Sequence, residues 1–422
     1  MTILLAAILL LLLVAAGVHI AIALGLVATA LMSWDLGMPA IMIAQMAWDS
    51  IDKYALVAIP FFIFAGNLMS RGDLGLILLE LMGSVLRRFR GGLALALATS
   101  SVFFAAVNGS SVACAAALGP AAVKLFPKEG YPPRFAAAVV AVCATMGLMI
   151  PPSLTFILIG SIVGLPITDL FIAGVIPGLM EAVLLGGTTI LVSRSNRYGG
   201  ETRPIDWRGF RRRLPGASGA LLMPVLIIST IYLGWFTPTE VSALAAVYAA
   251  FLVLVVYRTA TLGAVWGVAR DSVMQTAMIY AVVIGSGLLT AVLTRLGLAR
   301  ELTALLVEWQ VEPWQFLIAV NLLMVVVGMF LDGVSMIVLL SPILFPMVQA
   351  LEIDPIHFAV IMTSLIEIAT LTPPVGLNLF VMSRIARLPI RAVIMGVLPF
   401  YGAQLLVLIL INVFPILSLA LL

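Results

Sequence analysis

Long apolar runs alternate with short polar loops along almost the whole chain. A membrane-spanning helix needs about 20 apolar residues. Apolar runs of comparable length recur at residues 3–32, 55–69, 135–163, 170–192, 217–233, 241–257, 276–293, 357–382 and 392–414. The first run has no basic segment before it and no small-residue cleavage site, so it predicts a retained span rather than a signal peptide. The pattern predicts an all-α polytopic membrane protein with nine full spans.

Two further apolar segments predict re-entrant helical hairpins, which enter and leave the membrane on the same face. They are residues 91–126 and 314–350, and each is interrupted near its middle by a polar, glycine-containing tip. The first tip is Asn108-Gly109-Ser110-Ser111, and the second lies at residues 331–335. Non-helical backbone at membrane depth is tolerated only when it is buried in protein or lines a wet cavity. Both tips are therefore candidate functional sites.

Basic residues are concentrated in loops on one predicted face of the membrane. The longest polar stretch, residues 194–213, contains seven arginines, and the positive-inside rule places it in the cytoplasm. Counting spans outward from this loop leaves only Lys53, Arg295 and Arg300 of the 22 basic residues outside. The charges predict a cytoplasmic N-terminus and an external C-terminus. They also explain the net charge of +3 without a nucleic-acid partner.

Composition excludes several classes of protein. Hydrophobic residues make up 63% of the chain, charged residues 10%, and the mean hydropathy is +1.22, so the chain is not water-soluble. Cys114 and Cys143 lie in apolar spans and predict packed residues, not metal ligands. With His19 and His357 as the only histidines, and without HExxH, GxSxG or paired-aspartate motifs, the sequence gives no support to an intramembrane enzyme.

An internal repeat relates the two halves of the chain. A shift of 222 positions superposes Pro120 on Pro342, Pro151-Pro152 on Pro373-Pro374, and GVIP at 174–177 on GVLP at 396–399. Equivalent loops carry opposite charge character, so the halves have opposite orientation in the membrane, as in secondary transporters. The predicted units are residues 1–194 as the first inverted repeat, 195–237 as the basic loop and a linking span, and 238–422 as the second repeat.

Consecutive prolines interrupt one span in each half. A proline removes a helical hydrogen bond and clashes with the preceding turn, so each pair leaves carbonyl groups free. The predicted broken helices are residues 135–163 and 356–384, and each break is expected to face the hairpin tip of its own half. Oxygen ligands at such a junction suit an alkali cation, and helix N-termini suit an anion. The polar side chains beside the breaks are Ser153, Thr155, Thr370, Thr372 and Asn378.

Acidic residues at or near membrane depth have different expected roles. Buried carboxylates in a span are costly and are often functional. Asp332 and Glu367 either help to hold a cation or are protonated and structural. Glu240 follows Thr237-Pro238-Thr239 and predicts an N-terminal cap, whereas Glu181 predicts a packed residue. The repeat-equivalent segments 75–86 and 297–308 are too short to span and predict interfacial helices that brace a frame.

Specific strings resemble a known family of transporters. They are GWFTPTEVSALAAVYA at 234–249, NGSSVACAAALGP at 108–120 followed by GLMIPPS at 147–153, and EIATLTPPVGLNLF at 367–380. Over nearly its whole length the chain resembles the DctM-like large membrane subunit of TRAP transporters, the tripartite ATP-independent periplasmic carriers. One departure is Gly17-Val18-His19, where the family usually has a Gly-x-Pro-Val break.

The resemblance implies sodium-coupled uptake of an organic anion, of carboxylate or sialic acid type, across the bacterial inner membrane. A periplasmic substrate-binding protein would deliver the anion, a small four-helix membrane subunit would pair with this chain, and the hairpin domains would move as an elevator among the membrane lipids. No cofactor is implied beyond sodium as the coupling ion.

The resemblance also implies site residues. One sodium site would combine the first tip and the first break: Asn108, Gly109, Ser110, Ser111, Gly147, Pro151 and Ser153. The other would combine the second tip and the second break: Asp332, Gly333, Ser335, Glu367, Thr370, Thr372 and Gly376. The substrate would lie between the tips, near Ser110, Ser111, Ser153, Thr155 and Asn378. The alternatives are a stand-alone sodium/anion symporter of a related inverted-repeat fold and a passive channel.

Overall fold

The computed structural model describes residues 2–71, 74–199 and 202–422, and within these ranges the protein is helical without any strand. The helices of the first half are α1 Thr2–Ala15, α2 Ile20–Ala30, α3 Ala40–Ile51, α4 Ala58–Arg71, α5 Leu74–Leu86, α6 Gly92–Asn108, α7 Ser111–Leu125, α8 Pro133–Cys143, α9 Leu154–Val163 and α10 Ile167–Ser195. The remaining helices are α11 Trp207–Tyr232, α12 Pro238–Phe251, α13 Leu262–Arg295, α14 Leu298–Glu308, α15 Pro313–Gly328, α16 Gly333–Ala350, α17 Pro355–Ala369, α18 Leu377–Ala386, α19 Ile390–Val413 and α20 Ile416–Leu419.

Seven helices in the described ranges are long and apolar enough to cross a membrane. Six of them coincide with predicted full spans: Tyr54–Arg71, Ile167–Ser195, Trp207–Tyr232, Pro238–Val256, Leu262–Arg295 and Ile390–Val413. The seventh is α16, the second arm of the second hairpin. Its 18 residues extend about 27 Å at 1.5 Å per residue, which is longer than a half-depth arm requires. The chain is a multi-pass membrane protein.

The first apolar run forms two helices instead of one span. α1 ends at Ala15 and α2 begins at Ile20. Gly17 lies between them with φ +82°, a left-handed conformation that favours glycine. The ring nitrogen Nδ1 of His19 then accepts a hydrogen bond from the backbone N–H of Ala21 at 3.4 Å and caps α2. The predicted continuous span 3–32 is therefore divided at the glycine.

Both predicted hairpins and both predicted broken helices are present. α6 and α7 form the first hairpin and are separated only by Gly109 and Ser110, whereas α15 and α16 form the second and are separated by residues 329–332. The first broken helix consists of α8, the 3₁₀ turn Ala144–Gly147 and α9, and the second consists of α17 and α18. The Pro151-Pro152 and Pro373-Pro374 bonds are both cis. The fold is thus the predicted pair of repeats, each with a hairpin and a Pro-Pro break.

The helices divide into a frame and a hairpin assembly. The frame is α2, α3, α4, α11, α12 and α13, in which α13 packs on α2, α3 and α4 and α12 packs on α4 and α11. The hairpin assembly consists of the hairpins with α8, α9, α10, α17, α18 and α19, which pack on one another across the two halves. α5 contacts both α11 and α6, and α14 contacts both α13 and α16. The two short helices therefore connect frame and hairpins, as the brace hypothesis expects.

The basic loop lies against the base of the first hairpin. The backbone N–H groups of Arg203 and Asp206 donate to the carbonyls of Arg87 and Ser84 at 3.1 and 3.0 Å. Glu129 binds Arg87 at 2.9 Å. α11 begins ten residues before the predicted span, because the Asp206 side chain caps it by accepting from the N–H of Gly209 at 2.7 Å. Positions 200 and 201 of this loop lie outside the described residues.

Candidate functional site

A small cavity joins the two hairpin tips. It measures about 130 Å³ and is lined by both tips, by both broken helices and by Ile279 of the frame helix α13. The polar residues on its wall are Ser110, Ser111, Thr155, Asp332 and Thr370, and the tip glycines Gly109 and Gly333 also line it. The cavity is smaller than typical ligand pockets of roughly 300–1,000 Å³. A ligand of ordinary size must therefore move the tips apart to occupy it.

Four half-helices begin at this cavity. Ser111 at the start of α7, Leu154 at the start of α9, Gly333 at the start of α16 and Leu377 at the start of α18 all lie on its wall. The first backbone N–H groups of a helix lack helical partners, and the helix dipole makes that end positive. Four such ends at one cavity favour a negatively charged ligand there.

A backbone hydrogen bond joins each Pro-Pro break to the hairpin tip of its own half. The backbone N–H of Leu154, just after the first break, donates to the carbonyl of Gly109 at 3.3 Å. The N–H of Val375, just after the second break, donates to the carbonyl of Met329 at 3.1 Å. The expectation that each break faces its own tip is confirmed in both halves.

The first tip and the first break supply mainly uncharged oxygens. Asn108 and Ser111 are buried, and the Asn108 side-chain nitrogen has no hydrogen-bond partner. Ser110 caps α7 by accepting from the N–H of Ala113 at 3.5 Å. A side chain added at Gly147 would lie 3.3 Å from the Ser110 backbone, so the break and the tip approach closely here. Ser153 caps α9 and donates its hydroxyl proton to the Leu148 carbonyl, while Pro151 lies within the break.

The second tip carries a carboxylate. Asp332 caps α16 by accepting from the N–H of Val334 at 3.2 Å, and the Ser335 hydroxyl also donates to it. Thr370 lines the cavity, and its hydroxyl donates to the Glu367 carbonyl at 2.7 Å. The Thr372 hydroxyl donates to the Ile368 carbonyl at 2.7 Å. Gly376 is the N-cap of α18, with φ +39°. Asp332 therefore gives the second tip a carboxylate that the first tip, Asn108 to Ser111, lacks.

Asn378 links the two halves instead of lining the cavity. It is fully buried, and its side-chain nitrogen donates to the carbonyl of Ala141 in α8 at 3.0 Å. Its backbone N–H donates to the Thr370 carbonyl at 3.2 Å across the second break. Of the predicted substrate set, Ser110, Ser111 and Thr155 face the cavity, whereas Asn378 and Ser153 support its walls.

Glu367 lies near another acidic residue and does not line the cavity. Its carboxyl group faces that of Glu181 in α10, both side chains are buried, and the oxygens Glu181 Oε2 and Glu367 Oε1 have no hydrogen-bond partner among the described residues. The Thr145 hydroxyl donates to Glu181 at 3.2 Å, and the Gln404 amide donates to Thr145 at 3.2 Å. Two ionised carboxyl groups buried side by side repel each other, so the pair needs at least one proton. The predicted role of Glu367 as a sodium ligand stays a prediction, although its carboxyl group is directed at Glu181.

The structure adds residues that the sequence analysis did not select. Thr145 lies 222 positions before Glu367, so the repeat offset itself relates these two members of the buried cluster. The Tyr401 hydroxyl donates to the Leu371 carbonyl beside the second break. Gly66 of α4 touches the first tip, because a Cβ there would lie 2.1 Å from Asn108 Oδ1. No pattern in the sequence indicates the last two contacts, which depend on how separate helices pack.

The comparisons with known proteins show the family of the chain. The family model of the tripartite ATP-independent periplasmic transporter DctM component matches residues 7–417. The C4-dicarboxylate TRAP transporter large permease protein DctM of Pseudomonas aeruginosa is 36% identical over 376 residues, which cover 89% of this chain and 87% of that protein. The sialic acid TRAP transporter large permease protein SiaM of Vibrio cholerae is 32% identical over 373 residues, covering 88% and 87%.

A solved structure shows the same fold. The YdaH transporter of Alcanivorax borkumensis matches with a TM-score of 0.61 over 87% of this chain and 86% of that chain, at 18% identity. The relatives are permease subunits of transporters and not enzymes. The family resemblance and the all-helical fold expected from the sequence are both confirmed, and the chain belongs to the DctM component family of tripartite ATP-independent periplasmic transporters.

Proposed function

We propose that the chain is the large membrane subunit of a sodium-coupled importer of small organic anions. The P. aeruginosa and V. cholerae relatives carry C4-dicarboxylate and sialic acid in their names, and both substrates are carboxylates. A dicarboxylate or an acidic sugar is therefore the substrate class for this chain. The observation that carries the proposal is the convergence of four half-helix N-termini on one cavity between the tips.

Sodium is proposed to bind beside this anion at the tip and break of each half. The first site uses the hydroxyl and carbonyl oxygens around Ser110 and Ser111, and the second adds the carboxylate of Asp332. Hard oxygen ligands suit a hard cation. A cation next to the substrate also offsets the negative charge that the substrate brings into a largely buried cavity. Each ligand therefore raises the affinity for the other, which is the basis of coupled transport.

The transport cycle is proposed to be a movement of the hairpin assembly against the frame. The repeats at 1–194 and 238–422 each contribute one hairpin and one broken helix to this assembly. Its movement would open the cavity to one face of the membrane and then to the other. The N-terminus would be cytoplasmic and the C-terminus periplasmic, as the arginine-rich loop indicates. A small four-helix subunit would pair with the frame, and a periplasmic binding protein would deliver the anion.

Reconstitution tests this proposal by omitting one component at a time. Proteoliposomes that contain the large and small subunits are supplied with a labelled dicarboxylate or sialic acid, the cognate binding protein and an inward sodium gradient. We expect uptake only when all components and the gradient are present. Uptake by the large subunit alone, unaffected by the binding protein, would instead favour the stand-alone sodium/anion symporter. Flux without sodium dependence would favour a passive channel.

A further inference from the structure

A second cavity lies directly outside the candidate site, toward the predicted periplasmic face. It has a volume of about 290 Å³ and is bordered by α3 and α13 of the frame and by α9 and α16 of the hairpin assembly. We call it the outer cavity. Its polar residues are Asp49, Ser50, Lys53, Ser286 and Thr290.

The outer cavity continues the candidate site along the same helices. On α9, Leu158 lines the inner cavity and Ile162, four residues later, lines the outer one. On α13, Ile279 and Val283 are related in the same way, and on α16 so are Val334 and Val338. Four residues are about one helical turn. At most one turn of mostly apolar side chains therefore separates the two cavities on these helices, and on α16 Ile337 of the inner cavity directly precedes Val338 of the outer one.

Lys53 gives the outer cavity a cation that no carboxylate neutralises. Its ammonium group donates to the carbonyl of Ser161, near the end of α9, at 2.6 Å. Among the described residues no carboxylate lies within the 4.0 Å of a salt bridge to it. Burial lowers the pKa of Lys53, because desolvation penalises its charged form. A carboxylate ligand would supply the missing counter-charge.

We infer that the outer cavity is a first binding site for the anionic substrate, where Lys53 binds its carboxylate before the substrate passes the apolar turn into the inner cavity. This inference rests on the proposed function and adds a site to it. Lys53 is one of only three basic residues predicted on the external side. An anion that arrives from that side therefore meets few other cations that could compete with Lys53. Asp49 also lines the outer cavity, and its charge opposes that attraction.

Charge-selective labelling tests the inference without any substrate. Cys114 and Cys143, both buried, are replaced with alanine, and Thr290→Cys places one thiol in the outer cavity. Right-side-out vesicles are then treated with anionic sulfonatoethyl or cationic trimethylammonioethyl methanethiosulfonate. We expect labelling from outside, with a preference for the anionic reagent. In Lys53→Gln the rate for the anionic reagent should fall, and that for the cationic reagent should rise, each by about fivefold, the effect of one charge a few ångströms away in a wet cavity. Lys53→Arg should keep the preference and Asp49→Asn should increase it.

Two outcomes overturn the inference. Either Thr290→Cys is unreactive to both external reagents, or the reagent preference is the same with Lys53 and with Lys53→Gln. Gln349→Cys is the control for general surface effects, because Gln349 is exposed at the end of α16 and does not line the outer cavity. Its reagent preference should not depend on residue 53.

Transport measurements separate this inference from the proposed function. In the reconstituted system Lys53→Gln should raise the substrate concentration for half-maximal uptake severalfold, whereas Lys53→Arg should remain close to the unmodified chain. Sodium-dependent uptake with an unchanged half-maximal concentration in Lys53→Gln contradicts the outer site and leaves the function standing. Absence of uptake in the unmodified chain contradicts the function, while the labelling ratio still decides whether the outer cavity attracts anions.

Discussion

Ser110, Ser153 and Asp332 each accept a backbone N–H group at the start of a half-helix, and each therefore fixes an oxygen beside the candidate site. An N-cap of this kind contributes about 1 kcal/mol to a helix. The cap oxygens can contact an ion while they hold the backbone in place. Stability and binding are consequently linked at the same atoms, and variants must be chosen to separate the two effects.

Removing tip and break hydroxyls should weaken sodium binding. We expect Ser111→Ala or Thr372→Ala to raise the sodium concentration for half-maximal uptake, because each removes an oxygen from one proposed site. Ser100→Ala is the matched control, since this buried serine bonds the Ala96 carbonyl within α6 at 2.7 Å and does not line the cavity. An unchanged sodium dependence in both tip and break variants would exclude the proposed cation sites.

Asp332→Asn separates ion binding from capping. Asparagine is as good an N-cap as aspartate, so the start of α16 should persist and the melting temperature should change little. The neutral side chain should lower sodium affinity severalfold, because it removes the one carboxylate on the cavity wall. Sodium titration of uptake is the measurement. A normal sodium dependence together with a lower protein yield would assign Asp332 a purely structural role.

Gly66→Ala should disturb the first tip. The added methyl group would lie 2.1 Å from Asn108 Oδ1 and 3.1 Å from Asn108 Cα, so the tip has to shift. Overpacking of this kind costs about 1–3 kcal/mol and should appear as a lower melting temperature. Gly216→Ala is the control, because nothing lies within 4 Å of a Cβ there. Equal melting temperatures for the two variants would show that α4 does not confine the tip.

At the scale of elements, polar contacts join helices of the first repeat to helices of the second. Asn378 bonds α18 to α8, Gln404 bonds α19 to the turn after α8, and the Glu181–Glu367 contact joins α10 to α17. Every one of these polar contacts links the first half of the chain to the second. They hold the hairpin assembly together as a unit that includes parts of both repeats.

Replacing Glu181 with glutamine should preserve the stability of the fold, whereas replacing it with alanine should lower it. In Glu181→Gln the amide can donate a hydrogen bond to Glu367, so folding and uptake should persist. Glu181→Ala leaves the buried Glu367 carboxyl without this partner, and losses of that kind cost about 1–3 kcal/mol, so the melting temperature should fall. Thermal unfolding of both variants in detergent is the measurement. Equal destabilisation by glutamine and by alanine would contradict the shared-proton contact.

At the scale of the whole molecule, periodicity and repeats predicted most of the fold. The 222-residue offset and the two Pro-Pro pairs indicated the hairpins, the breaks and their pairing, because proline and glycine act on the local backbone. Hydropathy missed the division at Gly17, since one glycine and one histidine hardly lower the mean hydropathy of the apolar run 3–32. It also missed the amphipathic helix α3, which follows Pro39.

Contacts between distant side chains could not be predicted in the same way. Nothing in the sequence around Glu181 indicates that it lies near Glu367, and nothing around Gly66 indicates that it lies near Asn108. Both contacts depend on how the helices cross. The predicted site residues that line the cavity lie on or beside the local backbone breaks. Other predicted residues, such as Asn378, were chosen because they lie close to a Pro-Pro break in the sequence. The sequence does not show whether such a side chain points toward the cavity or away from it.

The zero-flux condition tests sodium-coupled anion transport most directly. Proteoliposomes with both membrane subunits are loaded with labelled substrate, and the substrate gradient that stops net flux is determined at several sodium gradients. If the protein couples sodium to anion transport, the balancing substrate ratio rises as a power of the sodium ratio, with a fixed exponent set by the number of ions per substrate. A balancing ratio that does not change with the sodium gradient would contradict sodium coupling.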